Sequence, residues 1–197
     1  MRSTFYILLF VVIISITGCA HSIAISPDIS KIERDSKIAP IEKNTGYYIA
    51  PEVRDKNVTT PGGGGDLVSY FPYKDIEAGF YTMLENVFKE VTKLKSPTDM
   101  ETISRLSIAY IIIPEISTDS SSQSSFTWPP TQFIVNLTCT ITDINGKEVI
   151  KPAVTGEGLA EYDEFKSDFS LAGKRAARDA LLKMQTILMT SPELRDP

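Results

Sequence analysis

The chain has 197 residues, a formal net charge of -5 at pH 7, and 42% hydrophobic and 23% charged residues. This length fits one domain with short extensions, and the composition is ordinary for a globular protein. The mildly acidic charge, together with a sequence free of Lys/Arg-rich runs, argues against nucleic acid as a partner.

The N-terminus has the pattern of a secretory signal. Arg2 supplies a positive charge, and an apolar run over residues 5–16 follows, about 12 residues long against the roughly 18–20 needed to span a bilayer. The run ends in Ile16-Thr17-Gly18-Cys19. Small residues before a cysteine suit the extended backbone of a peptidase site, and a thiol can accept a diacylglyceryl group. The alternative, an uncleaved anchor helix, is disfavoured by the short run.

This stretch resembles the lipobox of bacterial lipoproteins, with Ile16 in place of the usual leucine. The resemblance implies cleavage before Cys19 and acylation of its sulfur and nitrogen with chains such as palmitate. Three chains make release negligible, because each buried CH₂ adds about 0.8 kcal/mol. In enterobacteria an aspartate in place of Ala20 would signal inner-membrane retention. The resemblance therefore implies an outer-membrane protein whose domain faces the periplasm.

Composition divides the chain into three parts. We expect a signal peptide over residues 1–18, a lipidated N-terminus and tether over residues 19–45, and a single α/β periplasmic domain over residues 46–197. The tether segment is polar and interrupted by prolines. Its six isoleucines exceed what a free linker needs, so docking of part of it on the domain or on a neighbouring subunit is an alternative.

The first half of the domain predicts one strand and two helices. Residues 47–51 form the strand candidate, and the four glycines at 62–65 mark a loop. Apolar residues at helical spacing predict a long helix over residues 74–94. A serine N-cap followed by proline predicts a short helix over residues 97–105.

The second half predicts three strands and a closing helix. Residues 108–113 are continuously apolar, as in a buried strand, and residues 132–143 alternate with period two. Asn145-Gly146 predicts a hairpin turn before a return strand over residues 147–161. Small and apolar residues at helical spacing predict a helix over residues 169–189.

The resulting order is β-α-α-β-β-β-α, which predicts an α+β fold. We expect a mainly antiparallel sheet of about four strands with helices packed on one face. In this order, residues 46–190 resemble the small periplasmic α/β lipoproteins of outer-membrane export and assembly machines, such as those of curli secretion and Pel-polysaccharide export. The resemblance implies a structural or assembly role, although a fold does not by itself settle function.

Two cysteines and one histidine limit the possible chemistry. Cys19 is taken by the lipid, so Cys139 has no partner for an internal disulfide, and the alternating pattern places it in the core. His21 falls in the tether, which leaves the domain without a Ser-His-Asp device or a histidine-containing metal site. We therefore expect no enzyme, no cofactor and no metal.

Two groups of residues could be taken for ligand-binding sites, but the spacing of their residues argues against this. The glycines at 62–65 lack the Gly-Lys-Ser/Thr of a phosphate loop, so they predict a turned or mobile loop, or close approach to a partner's backbone. The acidic residues near the last strand-to-helix turn lack the spacing of an EF-hand and predict a solvated surface. These are Glu157, Glu161, Asp163, Glu164 and Asp168.

The polar segment over residues 117–131 is a candidate partner-binding loop. It holds the only tryptophan, Trp128, with Phe126 nearby and the rigid pair Pro129-Pro130 behind it. Long loops in compact domains are usually functional or disordered, and tryptophan dominates binding hot spots. One interpretation is contact with a partner or a membrane surface, and the other is that Trp128 folds back to cap the sheet.

A second candidate surface precedes the first long helix. Tyr70, Phe71 and Tyr73 form either an exposed contact or a hydrophobic lid on the core. Two functions follow from these segments. The first is a structural or assembly subunit of a cell-envelope complex, with an envelope protein or further copies of itself as partner. The alternative is a periplasmic module for a lipid or small apolar ligand, which requires an apolar cavity beneath Tyr70–Tyr73.

Overall fold

A computed structural model describes residues 20–195. Within this range the chain forms nine β-strands, five α-helices and two short 3-10 helices. The strands are β1 Ala20–Ser22, β2 Ile41–Tyr47, β3 Val58–Pro61, β4 Leu67–Tyr70, β5 Phe88–Lys93, β6 Ile108–Ser121, β7 Gln132–Asp143, β8 Glu148–Ile150 and β9 Ala153–Leu159. The helices are α1 Pro51–Arg54, α2 Pro72–Val87, α3 Met100–Arg105, α4 Tyr162–Phe165 and α5 Leu171–Thr190, and the 3-10 helices are Ile29–Lys31 and Pro192–Leu194.

The main sheet has six strands in the described part of the chain. Its order is β5-β2-β6-β7-β8, and β9 pairs with the first half of β7. β2 runs parallel to both β5 and β6, whereas β6, β7, β8 and β9 pair antiparallel. The α+β class is confirmed. The prediction of about four mainly antiparallel strands is wrong, because β2 and β5 come from segments expected to be tether and helix.

A second sheet of three strands, β1-β4-β3, contains the first residues of the described chain. β1 pairs in parallel with β4, with Ala20 opposite Leu67. Beyond β1, Ile25 and Ile32 are buried in the core. The segment over residues 20–45 therefore docks on the domain, which is the alternative that its isoleucines suggested, and its last residues form β2.

The two long helices cover one face of the main sheet. Helical spacing places the apolar side chains of α2 and α5 in the core that also holds the inward-facing residues of β7, which alternate as predicted. The core-facing residues of β7 are Phe133, Val135, Leu137, Cys139 and Ile141. No helix within residues 20–195 has the length and hydropathy needed to cross a membrane.

The short helix α3 lies on the opposite face of the sheet. Its Ile103 packs with Leu94, Ile108 and Ile111 in a small core of its own, whereas Ile112 belongs to the main core. Since successive residues of a strand point to opposite faces, the two cores lie on either side of β6. The expectation that the helices share one face is correct for α2 and α5 and wrong for α3.

Several element boundaries differ from the predicted ones. The first long helix ends at Val87, and the predicted stripe continues into β5. α3 begins after Asp99, whose carboxylate accepts a hydrogen bond from the Thr102 N–H (3.2 Å). β6 extends to Ser121, which shortens the predicted loop to residues 122–131. The predicted return strand is divided into β8 and β9.

The hairpin turn between β7 and β8 is confirmed. Gly146 has a φ of 81°, which favours glycine. The Asp143 carboxylate accepts hydrogen bonds from the N–H groups of Asn145 (2.8 Å) and Lys147 (2.9 Å). These bonds close the turn at the end of β7 farthest from Gln132.

Glycines allow α5 to lie close to β9. A Cβ at Gly156 would collide with the carbonyl oxygen of Ala176, and a Cβ at Gly158 with that of Ala172. This closeness lets side chains of α5 bond to the free edge of β9. The bonds are Asp179 Oδ2 with the Glu157 N–H (2.9 Å), Lys183 Nζ with the Thr155 carbonyl (2.9 Å) and Arg175 Nη1 with the Leu159 carbonyl (2.6 Å). The edge of β9 is therefore sealed against another strand.

Cys139 is fully buried on the core face of β7, as predicted. Burial raises the pKa of its thiol. We expect a water-soluble thiol reagent to leave Cys139 unmodified in the folded protein, because reaction requires an accessible thiolate. Mass spectrometry should find modification only after unfolding in guanidinium. Rapid modification under native conditions would contradict the buried position.

Candidate functional site at the β1 end of the domain

Four segments meet at the end of the domain where β1 begins. They are β1 itself, the glycine loop over residues 62–66, the loop over residues 122–131 that joins β6 to β7, and the segment over residues 159–170. Register places Ala20 opposite Leu67, and Gln132 opposite both Ser121 and Leu159. We call this surface the β1 end.

Trp128 lies at the centre of the β1 end. Its indole stacks on the His21 imidazole, with ring centroids 4.1 Å apart and an interplanar angle of 15°. On another side it meets the Phe169 ring, 4.9 Å away between centroids. His21 Nε2 in turn lies 3.6 Å from Oδ2 of Asp66 in the glycine loop. Trp128 is therefore half-buried and folded back, and His21, which the sequence placed in a tether, belongs to the domain.

The glycine loop lies very close to the loop over residues 122–131, because its glycines have no side chains. The N–H of Gly63 donates to the Trp128 carbonyl (2.7 Å). A Cβ at Gly62 or at Gly63 would collide with the carbonyl oxygen of Trp128 or Thr127, respectively. The next two glycines have φ angles of 66° and 88°, where other residues are strained. The sequence suggested that these glycines allow the backbone of a partner to approach closely. In the structure, the backbone that approaches them is that of the chain's own loop over residues 122–131.

Phe126 projects from the β1 end and is 98% exposed. The buried Pro129 and Pro130 follow it in the same loop and fix the path of the chain. Other large apolar side chains of this end are also exposed. They are Tyr162 at 63%, Leu159 at 61%, Phe169 at 47% and Leu67 at 37%. Exposed apolar groups concentrated on one surface mark a contact with another molecule or a membrane.

Tyr70 lies in the core and not on a contact surface. Its side chain is fully buried, and its ring lies 5.2 Å from that of Phe133 between centroids. Its hydroxyl donates to Thr118 Oγ1 (2.8 Å) and also contacts Thr60 Oγ1 at 3.2 Å. The Phe133 ring therefore occupies space beside Tyr70 where the ligand-binding alternative requires a cavity.

Phe71 and Tyr73 are half-buried beside Tyr70. The Tyr73 hydroxyl accepts a hydrogen bond from the Ile116 N–H (2.9 Å), and Lys74 Nζ lies 5.6 Å from the centre of the Phe71 ring. These contacts fit the interpretation of the segment as a lid on the core.

Three of the five acidic residues near α4, namely Asp163, Glu164 and Asp168, make separate ion pairs. Arg175 binds both carboxylate oxygens of Glu164 at 2.6 and 3.0 Å, and these bonds lower the pKa of the Glu164 carboxyl to about 2. Lys174 Nζ lies 2.9 Å from Asp168 Oδ2. Residues 20–195 hold no group of three or more ligating side chains arranged for a metal ion.

A cationic cleft beside α5 was not found from the sequence. It has a volume of about 440 Å³, and its lining includes Lys31, Lys174, Arg175 and Arg178, with carboxylates from Asp28 and Asp168. Lys31 comes from the N-terminal segment and the other three cations from α5. No local pattern links the two segments, so only folding reveals the cluster.

No protein-family model matches the sequence, and no curated protein matches it. Among solved structures, a Minor Lipoprotein from Acinetobacter baumannii aligns with a TM-score of 0.44 at 10% identity, over 75% of this chain and 92% of that chain. A PelC dodecamer subunit from Paraburkholderia phytofirmans gives 0.37 at 14% identity, over 73% and 92%. Both scores lie below 0.5, so neither likeness bears on fold or function.

A protein from Xanthomonas campestris assigned to the family model DUF330 is more similar. The structures align with a TM-score of 0.53 at 9% sequence identity, over 87% of this chain and 96% of that chain. The chain therefore shares its fold with the Xanthomonas protein, and the likeness concerns the fold alone.

Proposed function

We propose that the protein is an outer-membrane lipoprotein, anchored through acylated Cys19, that acts as a structural or assembly subunit of a cell-envelope complex. The lipobox-like residues 16–19 support the anchor. Cys19 lies outside the described residues, and the next residue, Ala20, begins β1. We propose no reaction for the protein, since its sequence has no recognisable catalytic motif.

The main support for the assembly role is the open edge of β5, the side of this strand that pairs with no other strand. In the described part of the chain, only β2 pairs with β5. The Leu94 N–H donates to the Tyr47 carbonyl (2.8 Å). Because successive backbone groups alternate in direction, the N–H groups of Val91 and Lys93 face away from β2. Such unpaired groups are a template for a strand of another chain.

Two further features support β5 as the docking edge. A cleft of about 390 Å³ lies beside the strand, and Tyr81, Val91 and Leu106 contribute apolar surface to it. The opposite edge of the sheet is different, because three side chains of α5 seal β9. Of the two strands that end the sheet order, β5 has six residues, whereas β8 has only three and offers a much shorter edge.

The open edge is held away from the β1 end. β2 pairs with the first part of β6, with Thr45 opposite Tyr110, and the β1 end lies beyond Ser121. At about 3.3 Å per residue, roughly 35 Å of strand separate Tyr110 from Ser121. A chain anchored at the β1 end would thus present β5 to the periplasm.

Photo-crosslinking in cells tests the assembly role. A photoreactive residue at exposed Glu90 on β5 should capture one defined product, either an envelope protein or a second copy of the chain. The matched position is exposed Thr155 on the sealed β9 edge, where we expect no such product. Equal capture at both positions, or a protein that stays monomeric and partnerless in mild detergent at native levels, would contradict the proposal.

The backbone contribution of β5 can be tested separately. Val91→Pro removes the N–H that faces the open side, and proline is tolerated on edge strands. We expect Val91→Pro to reduce the crosslink from position 90 at least tenfold while circular dichroism stays unchanged. Val91→Thr keeps the N–H and should retain the crosslink. The same loss in both variants would point to the side chain and against strand pairing.

A further inference from the structure

We infer that the β1 end rests directly on the phospholipid surface, with Phe126 and Tyr162 in the interfacial layer. The inference rests on the anchor proposed above. It adds that the folded domain itself touches the bilayer in one fixed orientation.

The described chain begins within the β1 end itself. Ala20 is already paired with Leu67 in the three-stranded sheet. Consecutive Cα atoms lie about 3.8 Å apart, so a lipid on residue 19 begins within one residue of β1. No segment between anchor and domain is long enough to lift the β1 end from the bilayer.

β1 and the residues after it are held to the domain by several contacts. Beyond its pairing with β4, the chain continues through Ile23, whose N–H donates to the Ser69 carbonyl (3.0 Å). The Ile25 N–H then donates to Asp75 Oδ2 on α2 (3.0 Å). Trp128 stacks on His21 from the other side. With its attachment fixed in this way, the domain keeps one orientation relative to its anchor.

Large exposed side chains lie on the same surface as the start of β1. Phe126 and Tyr162 are 98% and 63% exposed, and Leu159 is 61% exposed. Tyrosine favours the boundary between headgroups and acyl chains, because one end of its side chain is apolar and the other meets water. Phenylalanine and leucine are the side chains that interfacial segments bury beside it. The N-terminal chain outside the described residues joins at this same end, which identifies a lipid surface as the occupant.

Charged groups beside the exposed Tyr162 are mostly paired within the domain. Two of the three acidic residues next to Tyr162 in the chain are matched by basic ones, and the first of them, Glu164, is bound to Arg175. Asp163 likewise pairs with Lys166 at 2.8 Å. The contact is therefore apolar, and we expect it on neutral phospholipid and in high salt.

Depth-dependent quenching of a fluorescent label tests the orientation. The full-length lipidated protein, carrying Phe126→Cys or Tyr162→Cys, is labelled with an environment-sensitive fluorophore and reconstituted into phosphatidylcholine vesicles. Buried Cys139 does not compete for the label. Asn145→Cys, at the exposed hairpin tip at the other end of β7, is the matched control. We expect lipid-borne quenchers to quench the labels at 126 and 162 at least fivefold more than the label at 145.

Flotation of the same vesicles separates this inference from the proposed anchor. Protein that fails to float with vesicles overturns the anchor itself. Protein that floats, but whose labels at 126 and 145 are quenched equally, overturns the orientation while leaving the anchor intact. Quenching at 126 that disappears in high salt would overturn the apolar nature of the contact.

Discussion

Gly158→Val should strongly destabilise the domain. Gly158 lies where β9 passes under α5, and an added Cβ would collide with the carbonyl oxygen of Ala172 and the N–H of Ala176. Both are backbone atoms of the helix, so no side-chain rotation can relieve the collision. The helix must instead move away from the sheet, which opens the core between them. We expect a loss above about 4 kcal/mol, a large part of the 5–15 kcal/mol by which domains are stable.

Urea unfolding followed by circular dichroism measures this effect. Ala153→Val is the matched control, because Ala153 lies on the same strand with its side chain exposed. There a β-branched residue should change the free energy of unfolding by less than about 0.5 kcal/mol. A Gly158→Val protein with the midpoint of the unsubstituted protein would show that α5 does not press on β9 as described.

Cys19→Ser should abolish both acylation and processing of the chain. If the proposed anchor is correct, the thiol of Cys19 is the only atom that can accept the diacylglyceryl group, and cleavage before residue 19 depends on it. Metabolic labelling with palmitate should be lost completely. The mass should remain that of the uncleaved chain, with all 197 residues.

Cys139→Ala is the matched control, since it removes the other of the two cysteines. Cys139 is fully buried in the core, so its loss should leave labelling and processing unchanged. A Cys19→Ser protein that still reached the mature length and carried palmitate would refute the anchor.

The sequence predicts β7 and the closing helix well, because each produces a regular spacing of apolar residues along the chain. β7 has the predicted bounds, 132–143, because period-two alternation continues without interruption over its length. The closing helix, predicted over residues 169–189, is found at 171–190. In both cases burial of one face follows from the spacing of neighbouring residues alone.

The same reasoning failed at β5 for a physical reason. Phe88, Val91 and Leu94 continue the apolar stripe of α2 at helical spacing, so the local pattern favours one long helix. The chain nevertheless forms a strand there, because β2 offers parallel pairing partners from a distant part of the sequence. Pairing between distant segments leaves no periodic signal in the sequence. The prediction of about four strands therefore lacks β5.

The candidate site shows the same limit. The sequence singled out the glycine loop and the Trp128 loop as separate features, but their contact through Gly63 requires the fold. His21 was assigned to a tether because β1 has three residues, too few for alternation to be recognised. Its stacking on Trp128 joins segments far apart in the chain.

The parallel pairing of β1 with β4 has a mechanical consequence. A pull between the membrane and a partner bound at β5 would enter the domain at Ala20 and run along β1. The bonds of β1 to β4 and the bond from Ile23 to Ser69 then carry the strain together, in shear, and do not peel open one by one. Further along, Asn86 and Gln185 bind the backbone carbonyls of Ile32 and Glu33. Tension would therefore reach both long helices before it could extract the N-terminal segment, so the domain would resist separation from the proposed anchor.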